Sequence, residues 1–288
     1  MTLMPCKRLA PTKLPTFLRQ TSAVSSRRTS GLALSMPKAL DITVRETPEN
    51  SYRSSLTPLT DDYGYGNPTG RAQGLGYLQE LLARLKNQYI TASNSSVNST
   101  LTNNADDFPL NRPFYADFTH DDIIISVLAA MSVDYFREAP SLTAFPPDPK
   151  RHWRMSKITP FGAKLITEVI GCADSDPTAV RERKTQYYPT QYGYDPSNAP
   201  HKFVRMRLND GIVPLDSIRG GKCKGRSDGL CALDDFVASQ ADAEELANYD
   251  FACFANYTLT EPLNGHDYDG RIDEDTPGVV INSGRLDE

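Results

Sequence analysis

The sequence predicts an α/β fold from two helix patterns and one hairpin pattern. Leucines recur on one face after Asn67-Pro68, an apolar run extends over residues 123–133, and residues 203–208 alternate between apolar and basic side chains. The first two patterns are typical of helices and the third of a strand. With 288 residues, the chain is long enough for one large domain or two small ones.

The first helix follows a helix-start signal. Asn67 is a suitable N-cap, and Pro68 fits the first turn because the amide hydrogen it lacks has no helical partner there. The apolar stripe consists of Leu78, Leu81, Leu82 and Leu85. The polar residues 91–105 then predict a loop.

Three sequons for N-glycosylation occur in the chain. They begin at Asn94 and Asn98, both in the polar loop, and at Asn256. Such sites favour a secreted protein. However, the chain has no uninterrupted apolar segment of the kind that forms a signal peptide.

An aromatic stretch leads into the second helix. Residues 114–118 predict a short strand, and His120, Asp121 and Asp122 precede the apolar run, with the two acids expected in the first helical turn. His120 is therefore expected where a strand ends and a helix begins. Free backbone amides and the helix dipole favour anions at such a junction.

The remaining elements are predicted nearer the carboxyl end. Residues 161–172 fit a strand or a helix, and their Ile and Val content favours the strand. Residues 203–208 form a strand whose Arg205 and Arg207 face away from its apolar side, and the turn at residues 209–211 makes a β-hairpin with residues 212–215. A helix is expected around Leu233 and Phe236.

The charge distribution argues against nucleic-acid binding. Residues 1–40 contain seven basic and no acidic side chains, whereas the other 248 residues carry 24 basic and 36 acidic ones. A body with a net charge of −12 repels a phosphate backbone. The basic leader is typical of an organellar transit peptide or of a disordered segment, and we favour the disordered segment. No apolar stretch is long enough to predict a membrane helix.

No metal site is predicted. The four histidines, at positions 120, 152, 201 and 266, do not have ligand spacing on one element. The aspartates at 267, 269, 273 and 275 do not follow the order of an EF-hand loop. Because the segment also lacks a periodic apolar face, residues 259–288 predict a solvated acidic tail.

The motif Phe114-Tyr-Ala-Asp-Phe-Thr-His-Asp121 resembles the C-terminal motif of the histidine acid phosphatases, and its flanks are similar to the fungal phytase-type branch. Further similar pieces lie in the same order at residues 66–74, 160–172, 204–215, 223–236 and 253. The resemblance covers residues 60–258 and implies an incomplete phosphoglycerate-mutase-like sheet flanked by helices, with a C-terminal β-hairpin. The predicted division is a leader over 1–59, the phosphatase part over 60–258 and the tail.

The resemblance also implies roles for individual residues. His120 would contact the substrate phosphate, Asp121 would be the proton donor, and Cys223 and Cys231 would form a local disulfide. The family works on phosphomonoesters such as phytate at acid pH, is secreted, and forms a phosphohistidine intermediate. The resemblance implies no cofactor.

The sequence departs from the family at the nucleophile. The family motif Arg-His-Gly-x-Arg-x-Pro is not found in this chain, and the nearest string, at residues 151–154, lacks the glycine and the proline. Cys172 and Cys253 match family cysteines whose expected partners are also missing. We therefore predict a phytase-like acid phosphatase without its nucleophile motif. The alternatives are an inactive relic or phosphate-binding pseudoenzyme, or an intracellular interaction module addressed by the leader.

Overall fold

The computed structural model describes residues 6–8, 63–139, 141, 144, 146–179, 199–260 and 267–282. Apart from residues 6–8, the predicted leader over residues 1–59 lies outside the described residues. The described part combines helices with antiparallel strands, which confirms the predicted α/β class. None of the described helices is both long and apolar enough to cross a membrane.

The described residues form short strands and helices, which are numbered here in chain order. The helices are α1 Gly70–Lys86, α2 Ser99–Thr102, α3 Ile123–Ala130, α4 Met155–Ile158, α5 Leu233–Ala238, α6 Ala243–Ala247 and α7 Tyr249–Phe254. The strands are β1 Cys6–Arg8, β2 Leu165–Cys172, β3 His201–Leu208, β4 Gly211–Ile212, β5 Cys231–Ala232, β6 Tyr257–Leu259 and β7 Val279–Ile281. Helix α5 and strand β2 confirm the predictions for those segments.

Helix α1 begins later than the sequence predicts. Thr69, not Asn67, occupies the N-cap position. The Asn67 side chain accepts hydrogen bonds from the backbone N–H and hydroxyl of Thr69, at 2.6 and 2.7 Å. It therefore stabilises the turn before the helix. At the other end, Asn87 adopts a left-handed conformation with φ 54°, which ends the helix.

Helices α1 and α3 pack face to face in the main core. Leu78 of α1 and Ile125 and Leu128 of α3 are almost fully buried there. Helix α3 begins at Ile123, so Asp121 and Asp122 precede it instead of forming its first turn. The strong burial of α3 explains its uninterrupted apolar sequence.

Gly74 allows α1 and α3 to approach closely. A Cβ atom at this position would lie 2.2 Å from the carbonyl oxygen of Ser126 and 2.7 Å from the amide nitrogen of Val127. Both contacts are with backbone atoms of α3, which cannot rotate away. The absence of a side chain at Gly74 is therefore required by the packing.

We expect Gly74→Ala to destabilise the fold by about 2–3 kcal/mol, because the two helices must separate to admit the methyl group. Gly211→Ala is the matched control, since a Cβ there meets nothing closer than 3.6 Å. Urea unfolding of both variants measures the difference. Equal stability of the two variants would contradict the close helix contact.

The main sheet is antiparallel and is centred on β2 and β3. Its order is β1-β2-β3-β4, with β5 also paired to β3. Strands β3 and β4 form the predicted hairpin, in which Asn209 takes a φ of 54° at the turn. The hairpin prediction is therefore confirmed.

Strand β3 buries a charged residue on the face opposite Val204, Met206 and Leu208. Val204, Met206 and Leu208 belong to the main core, as the alternation predicts. Arg205 is also buried, and its guanidinium lies 2.7 Å from the carboxylate of Glu168. Glu168 is the residue directly opposite Arg205 on β2, so the strand register creates this pair.

The prediction of a solvated acidic tail is wrong for residues 267–282. Tyr268 and Ile272 are buried, and the Gly270 carbonyl accepts a hydrogen bond from the Arg71 N–H at 2.9 Å. Further along, β7 pairs with β6. The two buried side chains lie four residues apart in a segment without regular secondary structure, so no periodic pattern marks them in the sequence.

Candidate functional site

His120 and Asp121 lie immediately before α3 and are exposed. The His120 and Asp121 carbonyls accept the N–H groups of Ile123 and Ile124, each at 3.3 Å, so both residues are tied by their backbones to the first turn of α3. The Asp121 carboxylate accepts the N–H of Asp122 at 3.1 Å. The imidazole of His120 has no hydrogen-bond partner among the described residues.

Residues 112–120, here called the aromatic segment, lead to this pair and are held against α1 by Arg84. The Arg84 guanidinium binds the Asp117 carboxylate at 2.8 and 3.4 Å. It also lies over the Tyr115 ring, 4.9 Å from its centroid. The Arg84 side chain is only 11% exposed. Arg84 lies in the last turn of α1, and its contacts with Asp117 and Tyr115 hold the aromatic segment against that helix.

The carboxylate of Asp117 affects its neighbours on α1. Burial raises the pKa of Tyr77, and the negative charge of Asp117 adds to this effect. Burial also raises the pKa of Glu80, with Arg84 opposing and Asp117 adding to the shift. Glu80 itself binds Arg84 at 3.1 Å. The arginine therefore bridges two carboxylates beneath the aromatic segment.

The prediction of a strand over residues 114–118 is wrong. The described chain makes no turn or bend over residues 114–120, but these residues have no ladder partner. Their side chains still alternate, since Tyr115 and Asp117 contact Arg84 whereas Phe114 and Phe118 are 71% and 81% exposed. The local sequence thus has strand character, but the described part of the chain provides no neighbouring strand.

A second polar cluster lies at the carboxyl end of α3, about 12 Å along the helix from His120 and Asp121. Fully buried Arg71 donates hydrogen bonds to the Ala129 carbonyl at 2.8 Å and to the Ser132 hydroxyl at 2.6 Å. It also donates to the backbone carbonyl and the carboxylate of Asp269, at 2.6 and 3.2 Å. Its charge lies at the negative end of the helix dipole, where a cation is stabilised.

Asp269 binds two more arginines in the same cluster. Arg219 donates to both of its carboxylate oxygens at 2.6 Å and also forms a paired contact with Asp134 at 2.8 and 2.9 Å. Arg137 binds Asp269 at 3.0 Å. Although burial raises the pKa of Asp269, the hydrogen bonds from Arg219 and the positive charges of the three arginines outweigh it and lower the pKa. The segment 267–282 is thus anchored by ion pairs.

The lowered pKa of Asp269 predicts how stability depends on pH. The ionised carboxylate is favoured in the folded protein, so its contribution is present above the ordinary aspartate pKa of about 4. It is lost as the pH falls through the lower pKa of the folded state. We expect Asp269→Asn to be destabilising at pH 6 and to have a smaller effect at pH 3, as measured by urea unfolding. An equal effect at both pH values would contradict this linkage.

The predicted disulfide between Cys223 and Cys231 is present. Cys172, for which the resemblance left no partner, is also disulfide-bonded, and Cys253 is a free, exposed thiol. An open cleft of about 220 Å³ lies beside the Cys223–Cys231 loop, with Lys224 and Arg226 in its wall. His120 and Asp121 do not line this cleft. Arg226 is engaged by Asp228 at 2.9 Å.

The three sequon asparagines lie in different surroundings. Asn94 and Asn98 are exposed, and the Asn98 side-chain oxygen accepts the Thr100 N–H at 3.0 Å at the start of α2. Asn256 is half-buried and exchanges hydrogen bonds with Asn282 at 3.1 and 3.5 Å. A glycan on Asn256 would replace a hydrogen of the amide nitrogen that donates to the Asn282 carbonyl, whereas Asn94 and Asn98 accept hydrogen bonds through their side-chain oxygens. Asn94 and Asn98 are therefore the better predicted acceptors.

Within the ranges that the structure describes, no group of His, Cys, Asp and Glu side chains is arranged to hold a metal ion. Sequence reasoning missed Arg84 and Asp117, whose ion pair holds the segment that leads to His120 and Asp121, and it also missed the Arg71–Asp269 cluster at the other end of α3. Asp117 lies within the motif at residues 114–121, and its membership of that motif is the signal that could have identified it. Arg84 lies outside the leucine stripe of its helix, and nothing in the sequence indicates its contact with Asp117.

Comparison with known proteins gives a consistent family. The family model described as "Histidine phosphatase superfamily (branch 2)" matches residues 38–194. Phytase A from Aspergillus oryzae is 30% identical over 194 residues, which are 67% of this chain and 35% of the relative. Phytase A from Emericella nidulans is 31% identical over 230 residues, or 80% of this chain and 42% of the relative.

The chain spans less than half the length of these curated relatives. Among solved structures, the phytase from D. castellii aligns with a TM-score of 0.42 and 22% identity, over 69% of this chain and 32% of that chain. Both His120 and Asp121 lie within the region that the family model matches.

Proposed function

Because the chain belongs to the histidine phosphatase superfamily (branch 2), we propose that His120 and Asp121 form the phosphate-binding and proton-donating part of a phytase-type acid phosphatase site. One observation carries the proposal. The imidazole of His120, which has no partner among the described residues, and the carboxyl group of Asp121 are adjacent, exposed and fixed to the start of a buried helix. The start of the helix favours a bound anion such as phosphate, and the neighbouring carboxyl group can supply a proton to the leaving group.

Each side chain has a distinct role in the proposed reaction. The His120 imidazolium donates a hydrogen bond to a phosphate oxygen and neutralises part of its charge. The protonated Asp121 carboxyl group transfers its proton to the leaving alkoxide as the bond between phosphorus and that oxygen breaks. The substrate would be a phosphomonoester such as phytate, and by resemblance the protein would be secreted.

The proposed reaction also requires a group that attacks phosphorus. The family resemblance implies a histidine nucleophile that forms a bond to phosphorus, and its Arg-His-Gly-x-Arg-x-Pro motif is not found in the sequence. That observation favours a second candidate, a phosphate-binding pseudoenzyme that retains His120 and Asp121. Both candidates predict phosphate binding, and only the first predicts turnover by a product that contains the motif.

An assay with a chromogenic phosphomonoester at acid pH tests the pseudoenzyme candidate. Turnover by the purified 288-residue chain that is abolished in His120→Ala would refute the pseudoenzyme. No turnover together with saturable phosphate binding would agree with both candidates, because the first predicts turnover only by a product that contains the nucleophile motif. Loss of neither property in His120→Ala would contradict both candidates.

The genomic DNA upstream provides an independent test. An in-frame exon that encodes the nucleophile motif behind a signal peptide would support a longer, active and secreted phosphatase. Stop codons throughout the upstream region would instead favour the pseudoenzyme.

A further inference from the structure

Residues 113–119 of the aromatic segment are attached to the rest of the described structure at one polar point. Their only hydrogen bonds to a described residue outside the segment are the two that the Asp117 carboxylate accepts from Arg84, at 2.8 and 3.4 Å. The Tyr115 hydroxyl accepts the Arg112 N–H at 3.1 Å, but that contact lies within the segment. Arg84 is therefore the polar support of this part of the chain.

The Arg84 guanidinium is itself held by several contacts. It lies over two aromatic rings, 4.9 Å from the centroid of Tyr115 and 5.2 Å from that of Phe108. Glu80, one turn earlier on α1, binds it at 3.1 Å. The Arg84 side chain is only 11% exposed, so water screens its ion pairs less than it would at an open surface. These contacts make the guanidinium a firm point of attachment.

His120 lies between this attachment and a second one. Asp117 is three residues before His120, about 10 Å along an extended chain, and it is bound to α1. The His120 carbonyl accepts the Ile123 N–H at 3.3 Å, which attaches His120 to α3. Because α1 and α3 pack directly on each other at Gly74, the separation of the two attachments is fixed. Residues 118–120 are thus held at both ends.

We infer that Arg84 is a positioning residue for His120. By fixing Asp117, it limits the backbone orientations of His120 and so the directions in which the imidazole can face. The inference rests on the proposed function, because a fixed imidazole matters through tighter phosphate binding. A site that is ordered before its ligand arrives loses less conformational freedom on binding. Loss of one attachment should therefore weaken phosphate binding about 3–10-fold.

Two substitutions separate positioning from a simple effect of charge. Arg84→Lys keeps the positive charge but cannot form the paired hydrogen bonds of a guanidinium. Asp117→Asn preserves the shape of the side chain and removes a negative charge three residues from His120. Charge alone predicts unchanged phosphate affinity in the first variant and tighter binding in the second. Positioning predicts weaker binding in both.

Titration of the 288-residue chain with inorganic phosphate at pH 5 tests the inference, with the His120 ring resonances as the readout. We expect each variant to weaken binding about 3–10-fold and the double variant to weaken it no further, because both substitutions break the same attachment. Arg226→Lys is the matched control. Arg226 is 18% exposed and binds Asp228 by two hydrogen bonds of 2.9 Å, in the wall of the cleft that His120 does not line. This control should stay within about twofold of the wild-type affinity.

NMR relaxation of the backbone amides gives a readout that does not depend on phosphate. In the phosphate-free protein, the order parameters of Phe118 and Thr119 should be about 0.85 in the wild type and in Arg226→Lys. They should fall below about 0.6 in Arg84→Lys and in Asp117→Asn. If the wild-type chain binds no phosphate, the proposed function fails, and the order parameters alone decide the inference.

Each of three results would overturn the inference. The first is that the order parameters do not change in Arg84→Lys and Asp117→Asn. The second is tighter phosphate binding in Asp117→Asn, which would assign the effect to charge. The third is an equal loss of affinity in Arg84→Lys and Arg226→Lys, which would reflect a general loss of stability.

Discussion

His120→Ala is expected to weaken the binding of inorganic phosphate at pH 5 about 10–100-fold. Histidine side chains ordinarily carry a proton at that pH, and a charge-assisted hydrogen bond contributes about 1.5–3 kcal/mol. The imidazole of His120 is exposed and has no partner among the described residues, so its removal leaves no buried group unsatisfied. The loss should therefore appear in binding and not in stability. Isothermal titration calorimetry measures the affinity, and urea unfolding measures the stability.

The matched control for this prediction is His152→Ala. His152 is also exposed, but its ring stacks on Tyr135 with the ring centroids 4.0 Å apart, away from the start of α3. Its replacement should leave phosphate affinity within about twofold of the wild type. If both variants lose affinity equally, phosphate is bound by general positive charge, and the proposed role of His120 fails.

Arg71→Met is expected to destabilise the fold by about 3–5 kcal/mol, the loss that follows when one partner of a buried ion pair is removed. Methionine retains the aliphatic volume, so packing is largely preserved. The Ala129 carbonyl and the Ser132 hydroxyl nevertheless lose their donor in a buried environment. Asp269 loses one of its three cations. Urea unfolding at pH 6 measures the change.

Arg137→Met provides the comparison within the same cluster. Arg137 also binds Asp269, but its side chain is 41% exposed, so its ion pair is weakened by solvent. We expect Arg137→Met to lower the free energy of unfolding by less than about 1 kcal/mol. If Arg71→Met is no more destabilising than Arg137→Met, burial does not increase the contribution of the Arg71 ion pair to stability, which contradicts our expectation.

The sequence predicts those elements whose stability comes from a regular apolar pattern. Helix α3 and the β3–β4 hairpin follow from an apolar run and from alternation around an Asn-Asp-Gly turn. The buried pairing of Arg205 with Glu168 does not follow from any such pattern, because it depends on the register between two strands that are far apart in the chain. Alternation alone places Arg205 opposite the apolar face but says nothing of what covers it.

Two features were not predicted because they depend on ionic contacts between residues far apart in the chain: the burial of residues 267–282 and the pair formed by Arg84 and Asp117. Asp269 is one of several acids in a polar stretch, and only its position beside Arg71 and Arg219 distinguishes it. In the same way, Asp117 acquires its role from Arg84, which is 33 residues away. The aromatic segment has the composition of a strand, but a strand also requires a neighbour, and composition does not reveal one.

Histidine-selective NMR tests most directly whether His120 binds phosphate at the start of α3. The ring resonances of the four histidines are followed at pH 5 while inorganic phosphate is added. We expect a saturable shift of the His120 resonances that reaches a plateau, with little change at His152 and His201. A titration in which the His120 resonances do not move, or move no more than those of His152, would contradict it.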